Sequence, residues 1–301
     1  MSERAGFRCG SVVIAGRPNV GKSTLLNALL GQKLSIVTPR AQTTRQRILG
    51  VLTRPGCQVL LFDTPGLHEG RGRPLNQAMN REALAAIAGA DAALLVADAA
   101  RWTEADEAVL ARLQAAALPV VLVLNKVDRV RPRERLLPLL QDVAGRHGFA
   151  AIVPVSALRG DNLERLLPVI GALLPESAAL FPADQITDRS ERFLAGEILR
   201  EQLMLALREE LPYGVAVQIE RWEELPDGRL AIDALIWVER ESQRRIVIGA
   251  GGERLKAIGR SARLELNRVL GRRVHLATWV RVREGWTGDD RLPGQLGFEV
   301  R

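Results

Sequence analysis

Short apolar runs separated by turn residues set the rhythm of the first half of the chain. SVVIAG, ILGVLT, CQVLLFD, DAALLVADA, PVVLVLN and AIVPVSA are strand-length, rich in Val, Leu and Ile, and show almost no polar alternation. A run apolar on both sides marks a strand buried on both faces, the condition of a mostly parallel sheet covered by helices. Between these runs the apolar period lengthens to three and four. Residues 24–31, 74–89, 104–116, 132–147 and 163–173 space their apolar positions as amphipathic helices do. Repeated strand–helix units over residues 1–175 predict an α/β domain built on a mainly parallel six-stranded sheet with helices on both faces. One stretch, QKLSIVTPRAQTTRQR, has no apolar period and is rich in Thr, Gln and Arg, so it reads as a mobile loop.

The rhythm breaks at LLPESAALFPADQITD, which carries two prolines and no period. It predicts a linker at residues 176–188 and, with residues 174–175 included, the hinge between two domains. Residues 189–301 are organised differently. A helix over 189–210 precedes YGVAVQIERWEE and GRLAIDALIWVER, which alternate as half-buried antiparallel strands around an LPDG turn. A basic helical region at 241–270 and a last strand, RRVHLATWVRVRE, complete an α+β pattern with a small sheet covered on one side.

At 301 residues and 47% apolar content, the chain has room for two packed domains and is not a disordered protein. Its net charge of +7 suits a polyanionic partner without naming one. From residue 189 onward the balance is nearly even, 20 basic to 18 acidic, yet Arg240 to Arg273 holds ten basic residues against three Glu. That local excess predicts a phosphate-facing surface. Cys9 and Cys57 are too few for a disulfide framework and are not spaced as metal ligands; His68, His147 and His275 stand alone. MSERAGFRCG lacks the apolar centre of a signal peptide, and no apolar run approaches membrane-spanning length, so the expected location is the cytoplasm.

Against this background GRPNVGKST, Gly16 to Thr24, stands out, because it joins a buried strand to a helix. Glycines at 16 and 21 let the turn Gly16, Arg17, Pro18, Asn19, Val20, Gly21 curl so that its N–H groups converge on an anion at a helix N-terminus. Lys22 supplies a point charge for the β- and γ-phosphates, and Ser23, followed by Thr24, a hydroxyl for Mg²⁺. Only four lysines occur in this Arg-rich chain, and Lys22 and Lys126 lie in such motifs, where a guanidinium fork would not substitute. DTPG (Asp63, Thr64, Pro65, Gly66) ends the strand CQVLLFD with an acid for Mg²⁺ and a glycine N–H for the γ-phosphate. NKVD offers Asn125 to brace its loop, the Lys126 stem to lie along the base, and Asp128 to accept two N–H bonds from a guanine edge. SAL (Ser156, Ala157, Leu158) offers the Ala157 N–H to the guanine oxygen. GTP or GDP with Mg²⁺ is the ligand these motifs predict.

The order of the four motifs resembles that of the translation-factor-like GTPases. The family's TTR pattern implies that Thr44, rather than Thr43, joins Ser23 and Asp63 as a Mg²⁺ ligand and senses the γ-phosphate. The residue after DTPG is Leu67, where Ras-type GTPases carry a glutamine that orients the attacking water, so the resemblance implies slow hydrolysis unless something assists. Some GTPases with an apolar residue there recruit K⁺ through a P-loop asparagine. Asn19 holds that place, either for K⁺ or merely to shape the turn. The chemistry is thus expected from Lys22, Thr44, Gly66 and Asn19.

IVIGAGGERLKAIG contains GxxG at Gly249, Ala250, Gly251, Gly252 between two helical segments and resembles the loop of a type II KH domain. Arg244, Arg245, Ile246, Ile248, Arg254 and Lys256 flank it as candidate RNA contacts. Ala250 departs from the Lys or Arg common there, so Arg254 or Lys256 is expected to supply the missing phosphate contact. A GTPase carrying TTR and DTPGLH, joined to such a domain and ending in REGWTGDDRLPGQLGF, is similar over almost its whole length to the Era family of bacterial GTPases. That resemblance implies a monomer that binds 16S rRNA near its 3′ end and assists maturation of the small (30S) ribosomal subunit. It also implies peripheral contact with the inner membrane, for which the residues themselves show no anchor. Two other readings stay open: an RNA-binding assembly factor whose nucleotide is structural, and a GTPase of tRNA modification or of cell-cycle or stress signalling. No unassigned Cys, His or carboxylate cluster supplies the further site the latter needs.

Overall fold

The computed structural model describes residues 6–40, 43–66, 74–207 and 214–284. The chain divides into two compact units, the first comprising Met1–Ser35, Thr44–Arg71 and Ala78–Asp188, the second Ile36–Thr43, Gly72–Gln77 and Arg189–Arg301. Residues 36–43 therefore belong with the second unit, although the chain on either side of them belongs with the first.

In the first unit the six apolar runs become one sheet. Its strands are β1 (Arg8–Ala15), β2 (Ile48–Arg54), β3 (Cys57–Asp63), β4 (Ala92–Asp98), β5 (Val120–Asn125) and β6 (Ala151–Pro154), in the order β2-β3-β1-β4-β5-β6. All neighbours are parallel except β2 and β3, an antiparallel hairpin. The absence of alternation has the expected cause: every residue of β5 is buried, and Leu94, Leu95, Val121 and Val123 are wholly inaccessible. Helices α1 (Lys22–Leu30), α2 (Pro74–Ala88), α3 (Glu104–Ala115), α4 (Leu136–Ala144) and α5 (Leu166–Leu173) cover the sheet. α1 begins at Lys22, ahead of the predicted Thr24; α5 follows a 3₁₀ turn, Leu163–Arg165, that takes the start of its predicted span; and α4 likewise follows the 3₁₀ turn Arg133–Arg135. Its Pro138 falls in the first helical turn, where the missing N–H costs nothing. Parallel topology puts the C-terminal ends of β1, β3, β4, β5 and β6 along one edge, so every nucleotide motif emerges there.

Residues 174–188 are tied along this unit rather than left loose. Cys9 N–H donates to Pro175 O (3.1 Å), Ser177 N–H to Phe7 O (3.0 Å) and Val51 N–H to Ile186 O (2.8 Å). The side chain of Gln58, fully buried, accepts from the N–H groups of Leu180 (2.8 Å) and Phe181 (2.9 Å) and donates to Phe181 O (2.8 Å).

The second unit has α6 (Glu191–Ala206), β7 (Val215–Glu224), β8 (Leu230–Val238), α7 (Glu241–Ile248), α8 (Glu253–Leu270) and β9 (Val274–Val282). The sheet order is β7-β8-β9, with β7–β8 antiparallel and β8–β9 parallel, the α7–α8 pair serving as the crossover that a parallel pair needs. Being central, β8 is buried at all positions but Asp233 and Trp237, more than half-buried alternation predicts. Leu199 and Leu203 of α6 pack with Ala234, Ile236 and Val238 of β8, Val247 of α7, and Ile258 and Ala262 of α8. The helix predicted over 189–210 runs from Glu191 to Ala206 and ends there, with Leu207 extended as its C-cap; residues 208–210 lie outside the described residues, as do Leu67 and the ending REGWTGDDRLPGQLGF from residue 285.

Gln58→Leu keeps the volume but removes the partners of three backbone groups. Leaving such groups unsatisfied costs about 1–3 kcal/mol each where water cannot reach them. We expect urea unfolding to show a loss of about 2 kcal/mol and limited proteolysis to begin cutting within residues 176–188; an unchanged midpoint and cleavage pattern would show the segment is held otherwise.

Candidate nucleotide site and nucleic-acid surface

The turn between β1 and α1 is built for a close approach. Gly21 has φ 101°, and a Cβ there would lie 2.3 Å from Asn125 Nδ2, so no other residue fits. The Lys22 ammonium, almost wholly buried, donates to Gly16 O (2.9 Å) and Arg17 O (3.1 Å). Burial lowers its pKa to about 8, against the opposing pull of the Asp63 carboxylate; nearby Arg17 lowers it further. Arg17 donates through Nε to both oxygens of buried Asp106 (3.2 and 3.0 Å). Asp106 in turn accepts from Thr103 in the capping box of α3. Gly66 lies against the turn, where a Cβ would stand 3.1 Å from Pro18 Cγ and 3.3 Å from Lys22 Nζ. Thr64 beside it donates to Ile14 O (3.0 Å), which fixes the peptide leading to Pro65 and Gly66.

Hydroxyl groups converge on Asp63. Its Oδ2 accepts from Ser23 (2.7 Å), Ser35 (2.8 Å) and Thr44 (3.3 Å), and the Ser23 and Thr44 hydroxyls are 2.9 Å apart. Oδ1 is buried with no hydrogen-bond partner among the described residues. Burial raises the Asp63 pKa, opposed by the Ser23 hydrogen bond and the charge on Lys22. A carboxylate and neutral hydroxyls around one point form a hard oxygen donor set, and the orphaned Oδ1 lacks a cationic partner; Mg²⁺ fits both. Thr43 does not reach this cluster: its hydroxyl donates to Arg40 O (2.8 Å) and pairs with Thr38 (2.7 Å).

The base side is braced through Asn125. Its Nδ2 donates to Val20 O (2.8 Å), while its Oδ1 accepts from the N–H of Lys126 (2.8 Å) and of Ala157 (2.9 Å). The N–H of Ala157, assigned by the sequence to the guanine oxygen, is thus held by Asn125, because that buried amide needs a donor at the same place. Asp128 Oδ1 accepts from Ser156 (2.7 Å), and its other oxygen has no partner among the described residues. Leu158 is exposed. Lys126 Nζ donates to Asn19 O (2.6 Å) and Asp98 (2.9 Å). Burial would raise the Asp98 pKa, but hydrogen bonds from Lys126 and the Ala100 N–H more than offset it and lower it. Asn19 itself is exposed, at φ 63°, a conformation Asn tolerates well, as turn shaping requires.

Four contributors escaped the sequence reading. Ser35 and Asn27, whose amide grips Ser35 O and the N–H groups of Leu34 and Ser35, sit in no motif. Asp106 is hidden as a helix cap. Asp98 alone left a signal, as an acid ending an apolar strand at the edge where the motifs gather.

In the second unit Gly249, Gly251 and Gly252 all have positive φ (76°, 57° and 82°), and a Cβ on Gly249 would meet Arg254 Cβ at 2.7 Å. The backbone of Ala250–Gly252 forms one exposed turn between α7 and α8. Of the candidate contacts, Arg244, Arg245, Ile246 and Lys256 are exposed. Ile248 packs partly against the core, and Leu255 with it. Arg254 donates to Ile246 O (2.6 Å), so its guanidinium caps α7 and is committed locally. Lys256 is 80% exposed with Glu253 3.8 Å away, which leaves it the better placed of the two to meet a phosphate.

Two family models match the chain: the 50S ribosome-binding GTPase over residues 11–126 and the KH domain over residues 210–287. GTPase Era of Stenotrophomonas maltophilia (strain R551-3) is 53% identical over 300 residues, covering 99% of this chain and all of the relative. GTPase Era of Xanthomonas oryzae pv. oryzae (strain MAFF 311018) is 55% identical over 293 residues, covering 97% of each. A crystal structure of Era with MgGDPNP and nucleotides 1506–1542 of 16S ribosomal RNA superposes with a TM-score of 0.93 at 41% identity, over 98% of this chain and all of that one. Aquifex aeolicus Era, a point variant bound to GDP·AlF4⁻, gives the same TM-score at 40% identity, again over 98% and 100%.

Lys22→Met removes a charged donor from a phosphate and a buried charge from the fold. A hydrogen bond to a charged group contributes about 1.5–3 kcal/mol, so GTP affinity should fall roughly 10- to 150-fold. The nucleotide-free protein should lose some stability, because Asp63 loses the charge that offsets its burial and the carbonyls of Gly16 and Arg17 lose their donor. GTP affinity within about twofold of the parent would mean that the ammonium does not meet the phosphates.

Proposed function

Because the chain belongs to the Era family of GTPases, we propose that it is a GTP-dependent switch that binds 16S rRNA near its 3′ end and assists assembly and maturation of the small ribosomal subunit. It hydrolyses GTP to GDP and phosphate. The observation that carries the switch is the meeting of Thr44 with Ser23 and Asp63 beside buried Lys22. The turn Gly16–Thr24 directs its N–H groups at the phosphates, Lys22 neutralises the β- and γ-phosphates, and the Gly66 N–H and Thr44 report whether the γ-phosphate is there. Ser23, Thr44 and Asp63 would hold Mg²⁺, which would neutralise charge on the phosphates when bound. Asp128 reads the guanine edge, with Ser156 orienting it and the Lys126 stem along the base. Ala157 comes to the base only by exchanging its Asn125 bond, and Leu158 covers from outside.

With leucine at 67 the chain has no side chain there to orient water, so the intrinsic rate is slow. The likeness to GTPases of that kind extends to K⁺ beside Asn19. We then expect hydrolysis to be several-fold faster in K⁺ than in Na⁺ at equal ionic strength; equal rates would leave Asn19 a turn residue only.

The RNA surface is the Ala250–Gly252 turn with Arg244, Arg245, Ile246 and Lys256 around it. Binding of a 16S 3′-end oligonucleotide, measured with GDP and with GDPNP at stated salt, should be tighter with GDPNP by about 5-fold or more, the usual scale of allosteric coupling. Ala250→Asp, at an exposed position, should weaken binding in both states without altering stability. No binding in either state would sink the RNA reading and leave the GTPase without this partner.

A further inference from the structure

Helix α6 buries two charged residues side by side. Arg200 and Glu201 are each 3% exposed, in a helix whose neighbours Leu199 and Leu203 build the core of the second unit. Buried charges are costly unless fully engaged, and an apolar pair would serve the core better. What engages these two, among the described residues, is Val37 on one side of the loop of residues 36–43 and Thr43 on the other. Glu201 Oε1 accepts from the Val37 N–H (2.8 Å), and Arg200 Nη2 donates to Thr43 O (2.6 Å). Glu197 grips the same guanidinium through both oxygens (2.7 and 2.6 Å), which fixes its direction. A third bond joins the Arg40 guanidinium to Leu207 O just past the end of α6. The two ends of the loop run into the hydroxyl cluster on Asp63, where Ser35 and Thr44 both bond that carboxylate. One peptide therefore separates the carbonyl held by Arg200 from the residue whose hydroxyl faces Ser23.

We propose that Arg200 and Glu201 are positioning residues of the GTP site: from the RNA-binding unit they hold the loop in the form that brings Thr44 to the Mg²⁺ cluster. This rests on the reading of Thr44 as the γ-phosphate sensor. GDP has no need of that form of the loop, whereas GTP does, so loss of the clamp discriminates between the two nucleotides. A residue that merely supported the fold would weaken both alike.

The test measures dissociation constants for GDP and GDPNP, with Mg²⁺, on the full chain and its variants, with thermal melting beside each. Glu201→Ala should weaken GDPNP about tenfold, the scale of one charge-assisted hydrogen bond, and leave GDP within about twofold. Glu201→Gln, which keeps an oxygen for the Val37 N–H, should stay within about twofold of the parent for both. Arg200→Lys, too short to grip Glu197 and Thr43 O together, should repeat the alanine result in a folded protein. Equal weakening of both nucleotides, or of neither, in Glu201→Ala and Arg200→Lys overturns the clamp. Thr44→Ala separates the two ideas. If it weakens GDPNP selectively while the α6 variants do not, the sensor stands and the clamp is wrong; if it shows no selectivity, the sensor reading fails and the clamp falls with it.

Discussion

The nucleotide site depends on a carboxylate buried at the end of a parallel strand. Register places Asp63 beside Ile14, so the acid that ends β3 lies next to the residues leading into the glycine turn after β1. Once buried, it needs compensation, and three hydroxyls from three separate stretches supply part of it on one oxygen. The remainder comes from charge. Lys22 is pulled toward neutrality by burial and held toward its charged form by Asp63, while Asp63 is pushed up by burial and drawn back by Ser23 and Lys22. Neither group is comfortable alone, and a bound cation and polyphosphate would relieve both. The turn, the loop end at Thr44 and the strand end are thereby committed to one another.

A second brace works the same way on the base side. Asn125 has three bonds, to Val20 O and to the N–H groups of Lys126 and Ala157, and it joins the glycine turn, the NKVD loop and the SAL loop. Its amide lies so near Gly21 that the glycine is demanded twice, by its φ and by the missing Cβ. Lys126 adds a fourth link, between Asn19 O and Asp98. The pieces that would surround guanine are held at fixed separation by side chains that need not touch it, which is how a loop-built site gains the precision of a rigid one.

The legible parts were those written locally. Strands buried on both faces show as unbroken apolar runs, and the glycine turn, DTPG and NKVD are contiguous strings whose residue types follow from their chemistry. Contacts between distant segments leave no such trace. Ser35 and Asn27 belong to no period, and Gln58 looks like any strand residue until Leu180 and Phe181 are seen bonded to it. Composition alone made residues 174–188 a hinge, since prolines and missing periodicity say that a segment is irregular, not that it is free. Direction of pairing was also hidden, because β8 and β9 read alike whether parallel or antiparallel. The bond from the Ala157 N–H to Asn125 was hidden for a related reason: a motif names a donor, while the tertiary structure supplies the acceptors around it.

The least expected feature, the polar pair on α6, changes where coupling should be sought. A hinge would couple nucleotide to RNA by swinging one body against another. The loop of residues 36–43 needs no swing, since it already belongs to the second unit while its ends close on Asp63. On its other side α6 gives Leu199 and Leu203 to the core that also holds Val247 of α7 and Ile258 of α8, the helices on either side of the glycine turn at 249–252. Close-packed cores pass on small displacements because they have no slack to absorb them. Linkage then works in both directions: whatever stabilises the loop form that serves GTP must be stabilised by GTP in return. If Arg200 and Glu201 hold the loop as proposed, an RNA that favours one setting of α7 and α8 would act on that equilibrium through α6.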